Sequence, residues 1–76
     1  MRLSLIRYAE IYAKQLLWQF GDSLEYLSIV EGVEEFLEDQ GIIEMPDREE
    51  LAEFIDYVDY LCTNAKIVVE LPKTRL

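Results

Sequence analysis

The sequence predicts a mainly α-helical fold, a small three-helix bundle with a short C-terminal β-strand. Two stretches place apolar residues at helical spacing between charged ones, and a third such stretch follows a proline. A final apolar run is short and rich in β-branched residues, which is typical of a strand. With 76 residues the chain has room for one domain, residues 1–76, and for only a small core.

The first helix is predicted at residues 3–20. Its inner face contains Leu5, Tyr8, Ala9, Tyr12, Leu16 and Phe20. A basic–aromatic strip follows the outer face, formed by Arg7, Ile11, Lys14 and Trp18. The favoured interpretation is that this helix is central and buries both sides. The alternative is that Trp18 anchors an interface, because exposed tryptophan is enriched at binding hot spots. The opening residues 1–6 also alternate, so a short strand is a second reading of this segment.

The central helix is predicted at residues 22–40. Asp22 and Ser23 can each cap its first turn, and Gly41 can end it in the left-handed conformation. The buried stripe is predicted to contain Tyr26, Ile29, Val30, Val33, Phe36 and Leu37. The opposite face carries carboxylates, including Glu31, Glu34, Glu35 and Glu38. Gly32 in mid-helix should cost about 0.5–1 kcal/mol relative to alanine, unless another backbone approaches it closely.

The third helix is predicted at residues 47–63, after Pro46. Asp47 and Glu50 have the spacing of a capping box. Its buried stripe is predicted to contain Leu51, Phe54, Ile55, Val58, Leu61 and Cys62. An acidic tyrosine patch is left outside, formed by Glu53, Asp56, Tyr57 and Tyr60. Tyrosine among carboxylates suits the docking of an arginine or lysine side chain.

The tail, residues 65–76, is basic and resembles a strand. Residues 67–71 are the predicted strand, and Pro72 closes it. A strand needs a partner, which residues 1–6 can supply within the chain. Otherwise another molecule supplies it, through a homodimer or through strand addition at an open edge.

Charge is segregated along the chain. Residues 22–59 hold fourteen Asp and Glu and one base, a net charge of −13, whereas the two flanks together carry +4. Such a surface repels nucleic acid and attracts a basic protein surface, including that of a nucleic-acid-binding protein. The plainer interpretation is that the carboxylates only keep a small protein in solution.

The composition excludes most catalytic chemistry. The chain has no histidine and one cysteine, Cys62, so it cannot form a catalytic Cys–His or Ser–His pair, a disulfide within the chain or a zinc site. No glycine-rich pattern follows a strand to hold phosphate, and the acidic cluster on the central helix does not form a calcium loop. We therefore expect no enzyme activity, no metal and no cofactor. No apolar run is long enough to span a membrane, and no secretory signal is recognised, so a soluble cytoplasmic protein is expected.

One motif points to a carrier protein. Gly21-Asp22-Ser23-Leu24 opens the acidic helix, and Met45-Pro46-Asp47 follows downstream. Over residues 21 to about 61 the chain resembles the acyl carrier protein family. The resemblance implies phosphopantetheine on Ser23 and an acidic helix that recognises basic partner enzymes. The alternative is that Ser23 is an ordinary helix cap.

The leading functional prediction is a non-enzymatic acidic adaptor or inhibitor that covers a basic surface of a partner protein. By composition it is comparable with small phage-type inhibitors and nucleic-acid mimics. The residues predicted to bind the partner are Glu31, Glu34, Glu35, Glu38, Glu53, Asp56, Tyr57, Tyr60 and Trp18.

Overall fold

The first predicted helix forms as expected. In a computed structural model that describes residues 2–75, with side chains described for residues 2–64, α1 is Leu3–Phe20. Its buried residues are Leu5, Ala9, Tyr12, Ala13 and Leu16. The alternative strand at residues 1–6 is wrong from Leu3 onward, because these residues form the first turn of α1, in which Leu5 is buried and Leu3 is 84% exposed. Phe20 at the end of the stripe is 37% exposed, so its expected burial is only partial.

The central helix begins later than the sequence predicts. Gly21 ends α1 with a φ of 56°, and Gly21–Ser23 form a 3-10 turn. Leu24 is then extended and packs against the core, so the second helix, α2, is Tyr26–Asp39. The predicted capping by Asp22 or Ser23 is therefore wrong. Glu25 occupies the N-cap position and makes no side-chain hydrogen bond there.

Gly41 ends α2 as predicted. Its φ is 76°, and its N–H donates to the Glu38 carbonyl at 3.0 Å. The N–H of Ile42 donates to the Leu37 carbonyl at 3.3 Å. These two bonds form a Schellman motif, in which a glycine satisfies the last carbonyls of a helix.

The third helix, α3, is Arg48–Arg75. Asp47 caps it as predicted, because its Oδ1 accepts a hydrogen bond from the Glu50 N–H at 2.9 Å. The Glu50 carboxylate takes its bond from another part of the chain, since Arg2 Nε donates to Glu50 Oε2 at 3.1 Å. One half of the capping box is thus replaced by an ion pair that ties the start of α1 to the start of α3.

The predicted C-terminal strand at residues 67–71 is not shown, since α3 continues through that segment to Arg75. A helix satisfies its backbone hydrogen bonds within one segment, whereas a strand needs a neighbour. From Leu3 onward, residues 1–6 belong to α1 and offer none. The side chains of the basic tail, residues 65–76, lie outside the described residues, and so does the homodimer predicted through them.

The core lies between all three helices. Arg2 is paired with Glu50 at one end, and the Cys62 thiol donates to the Ala13 carbonyl at 3.9 Å further along, so α1 and α3 run in the same direction. Among residues 2–64 the buried side chains are all apolar or aromatic, with Cys62 among them as predicted. The most deeply buried are Phe54, Leu5, Ile29, Leu37, Val33 and Val58.

Two members of the predicted α2 stripe are not buried. Tyr26 is 51% exposed and Val30 is 38% exposed. With 100° between successive residues, Val30 lies at one edge of the stripe, whereas Tyr26 falls within the stripe but is the first residue of α2. No helix that the structure describes is both long and apolar enough to cross a membrane.

Candidate functional site

A groove of about 560 Å³ lies between the C-terminal half of α1 and α2. We call it the acidic groove. Its apolar floor contains Tyr12, Leu16, Phe20 and Phe36. The α1 wall carries the amides Gln15 and Gln19, and the α2 wall carries Glu31, Glu35 and Asp39. It therefore combines aromatic surface with a row of negative charge.

The three carboxylates of the α2 wall line up because they are four residues apart. A helix rises about 1.5 Å per residue, so Glu31, Glu35 and Asp39 follow one side of α2 at intervals of about 6 Å. All three side chains are exposed. In the part of the chain that the structure describes, none of them forms an ion pair or a side-chain hydrogen bond.

Tyr12 lies at the base of the groove and packs between the three helices. Its ring stacks on Phe36 with ring centres 4.6 Å apart and lies 6.3 Å from Phe54, so it contacts both other helices. Its hydroxyl donates to the Ile29 carbonyl at 2.8 Å. Burial, and secondarily the neighbouring Cys62 thiol, raise the pKa of Tyr12 to about 12.

Gly32 is explained by this tyrosine. A Cβ atom at position 32 would lie 2.8 Å from the Tyr12 hydroxyl oxygen, which is closer than such atoms approach in proteins. From the sequence, the expected reason for a glycine here is the close approach of another backbone. The neighbour is instead a side-chain hydroxyl, held in place by its own hydrogen bond.

The structure divides the four glutamates predicted on the central helix. Glu31 and Glu35 line the groove, whereas Glu34 and Glu38 are exposed on α2 and do not line it. Asp39 also lines the groove, although the sequence did not place it among the partner-binding residues. Its spacing of four from Glu35 was the available signal, but only the position of α1 shows which row borders a groove.

The four residues of the acidic tyrosine patch on α3 differ in their exposure and in their contacts. Tyr57 is half-buried and Tyr60 is 61% exposed, and their rings stack with centres 6.3 Å apart. Glu53 is exposed on the same helix. Asp56 interacts with α2, because its Oδ1 accepts a hydrogen bond from the Tyr26 hydroxyl at 3.3 Å. Desolvation, followed by the charge and hydrogen bond of Asp56, raises the pKa of Tyr26.

The basic–aromatic strip on α1 faces solvent. Trp18 is 91% exposed and Ile11 is 36% exposed, and both basic residues of the strip are exposed. The interpretation that α1 buries both sides is therefore wrong. The position of Trp18, three residues after Gln15, places it beside the α1 wall of the acidic groove. The use of Trp18 as an interface anchor stays a prediction.

Ser23 is exposed on the 3-10 turn before α2, with Asp22 exposed beside it. Its hydroxyl makes no hydrogen bond within the described part of the chain, and it does not cap α2. Among the described residues, no three Cys, Asp or Glu side chains are grouped so that they could hold one metal ion.

Comparisons with protein-family models, with curated proteins and with solved structures found no match for this chain. The resemblance to acyl carrier proteins rests on the motif around Ser23 and on the acidic helix that follows it.

Proposed function

We propose that this protein is a small, non-enzymatic protein-binding module, an adaptor or inhibitor that docks on a basic surface of a partner protein. The observation that carries the proposal is the excess negative charge of residues 22–59, which contain fourteen carboxylates and one base. The charge is also presented outward, since Glu31, Glu34, Glu35 and Glu38 are all exposed.

A surface of this kind acts mainly on the rate of association. Complementary charge steers a basic partner toward the acidic side and repels nucleic acid and other anions. Proteins that bind nucleic acid carry the basic surfaces that would be covered. An acidic domain on such a surface would compete with the nucleic acid, which is how an inhibitor of this class would work.

The proposal predicts a salt-sensitive interaction with a basic partner. Partners captured from the source cells and identified by mass spectrometry should have basic surfaces. For one purified partner, the association rate constant should fall by at least about tenfold between about 0.05 M and about 0.5 M NaCl, while the dissociation rate constant changes little. Stopped-flow fluorescence of Trp18, the one tryptophan of the chain, measures both constants.

Trp18→Ala supplies the contrasting variant, with binding then followed through a labelled partner. If complementary charge steers association with the partner, the association rate should still depend on salt after the exposed Trp18 side chain is removed. If the captured partners are neutral or acidic, or if binding ignores salt and vanishes with Trp18→Ala, the charged surface is only a solvated one. The partner would then bind to the basic–aromatic strip on α1.

A second candidate function is that of an acyl-carrier-like protein with phosphopantetheine on Ser23. The observation that favours it is the exposure of Ser23 on a turn directly before an acidic helix. A transferase needs such an accessible hydroxyl, and the carboxylates of α2 would then serve to recognise basic partner enzymes.

Intact-mass measurement tests this candidate. After co-expression with an active phosphopantetheinyl transferase, the mass should rise by one phosphopantetheine, and Ser23→Ala should abolish the gain. Because Ser23 does not cap α2, we expect Ser23→Ala to leave the thermal unfolding temperature nearly unchanged. An unmodified wild-type chain beside a modified control carrier would exclude the carrier function.

A further inference from the structure

We propose that the acidic groove between α1 and α2 receives one basic amphipathic helix of the partner protein. The inference rests on the proposed function and adds to it the site and the kind of element that is bound. It follows from the arrangement of apolar and charged surface within the groove.

The floor and the α2 wall favour different side chains of a bound partner. The floor is aromatic and aliphatic, formed by Tyr12, Leu16, Phe20 and Phe36, so it favours apolar side chains. The α2 wall is a row of carboxylates at intervals of about 6 Å, so it favours lysine or arginine at the same interval. The occupant must therefore present a basic row directly beside an apolar stripe.

A helix presents these two rows side by side. Residues four apart follow one side of a helix at about 6 Å, and an apolar stripe can run next to them on the adjoining side. In an extended strand, successive side chains point to opposite faces, so neighbouring basic and apolar residues cannot both enter one groove. The geometry of the groove therefore favours a helical segment.

A second copy of this chain is a weaker candidate occupant. Each copy carries a net charge of −9, so two copies repel each other. The basic–aromatic strip of α1 offers only Arg7 and Lys14, one base fewer than the carboxylates of the groove, and the basic tail, residues 65–76, has a net charge of only +2. Charge complementarity thus points to a basic partner of different sequence.

The experiment uses a synthetic peptide helix as the probe. The peptide carries lysine at three positions spaced by four residues, with leucine along the adjoining side. A control peptide of the same composition has its lysines and leucines distributed around the helix. Binding to the full chain is measured by isothermal titration calorimetry, with Trp18 fluorescence as the second readout. The amphipathic peptide should bind at least about tenfold more tightly than the control peptide.

The variants compare two matched pairs of glutamates on the same helix. Glu31→Gln/Glu35→Gln removes two charges from the groove, whereas Glu34→Gln/Glu38→Gln removes two from outside it. Both pairs are four residues apart, exposed, and alike in charge and residue type. The groove pair should weaken peptide binding at least about tenfold, and the outer pair less than about threefold. Circular dichroism should remain helical in both variants.

The remaining outcomes overturn the inference. If both pairs weaken binding equally, or if the two peptides bind alike, the charge acts as a diffuse field. The groove is then not the site, although the proposed function survives. If the wild type binds neither peptide and captures no basic protein, the proposed function fails as well. If sedimentation shows a dimer that Glu31→Gln/Glu35→Gln dissociates, the occupant is a second copy.

Discussion

Replacing Gly32 by alanine should destabilise the protein by about 1–3 kcal/mol, although alanine is the better helix former. The new methyl group would lie 2.8 Å from the Tyr12 hydroxyl oxygen. The tyrosine cannot move aside easily, because its ring stacks on Phe36 and its hydroxyl donates to the Ile29 carbonyl. Urea unfolding followed by circular dichroism measures the loss as a lower midpoint with an unchanged slope.

The control for this prediction is the same substitution in a Tyr12→Phe background. Tyr12→Phe alone should cost about 0.5–1.5 kcal/mol, since it removes one buried hydrogen bond. Without the hydroxyl there is room for the methyl group, so Gly32→Ala should then be neutral or should stabilise by about 0.5–1 kcal/mol. The sign of the effect should therefore reverse between the two backgrounds. Equal destabilisation in both would show that the hydroxyl is not the cause.

Alkaline pH should also destabilise the protein, through the same tyrosine. The pKa of Tyr12 is about 12 in the folded protein against 10.0 for an ordinary tyrosine. The unfolded chain therefore loses this proton first, and stability is complete below pH 10 and falls as the pH rises through the folded pKa. Between these two pKa values the free energy of unfolding should decrease by about 1.4 kcal/mol per pH unit through Tyr12 alone. Urea unfolding at a series of pH values measures the slope.

Two phenylalanine variants separate this effect from general alkaline instability. Tyr12→Phe should remove its share of the slope, so that its stability changes less between about pH 10 and about pH 12. Tyr60→Phe is the matched control, the same substitution at an exposed position. A slope that is unaltered in Tyr12→Phe would contradict the assignment of the effect to this buried hydroxyl.

Local sequence signals determined several boundaries of the fold. The apolar spacing of residues 3–20 was sufficient to define α1, because that stripe repeats at the helical period. Gly41 and Asp47 marked the end of α2 and the start of α3, since both act through bonds to their own neighbouring backbone. Signals that depend on contacts within one turn were therefore informative.

The start of the central helix could not be predicted in the same way. Asp22 and Ser23 have the chemistry of a cap, but Leu24 packs against the core, and α2 begins only at Tyr26. A local preference of about 1 kcal/mol gives way when an apolar side chain can be buried instead. The partial burial of Leu24 depends on where α1 and α3 lie, which no local pattern of residues contains.

By itself, the sequence determined the negative charge of this protein, its concentration in residues 22–59 and its spacing along one helix. Those properties depend only on the order of residues and on the period of the helix. Only the tertiary structure decided that Glu31 and Glu35 border an apolar groove while Glu34 and Glu38 do not, and that Trp18 faces solvent. Each of these outcomes depends on how α1 packs against α2, because a groove exists only where two helices meet.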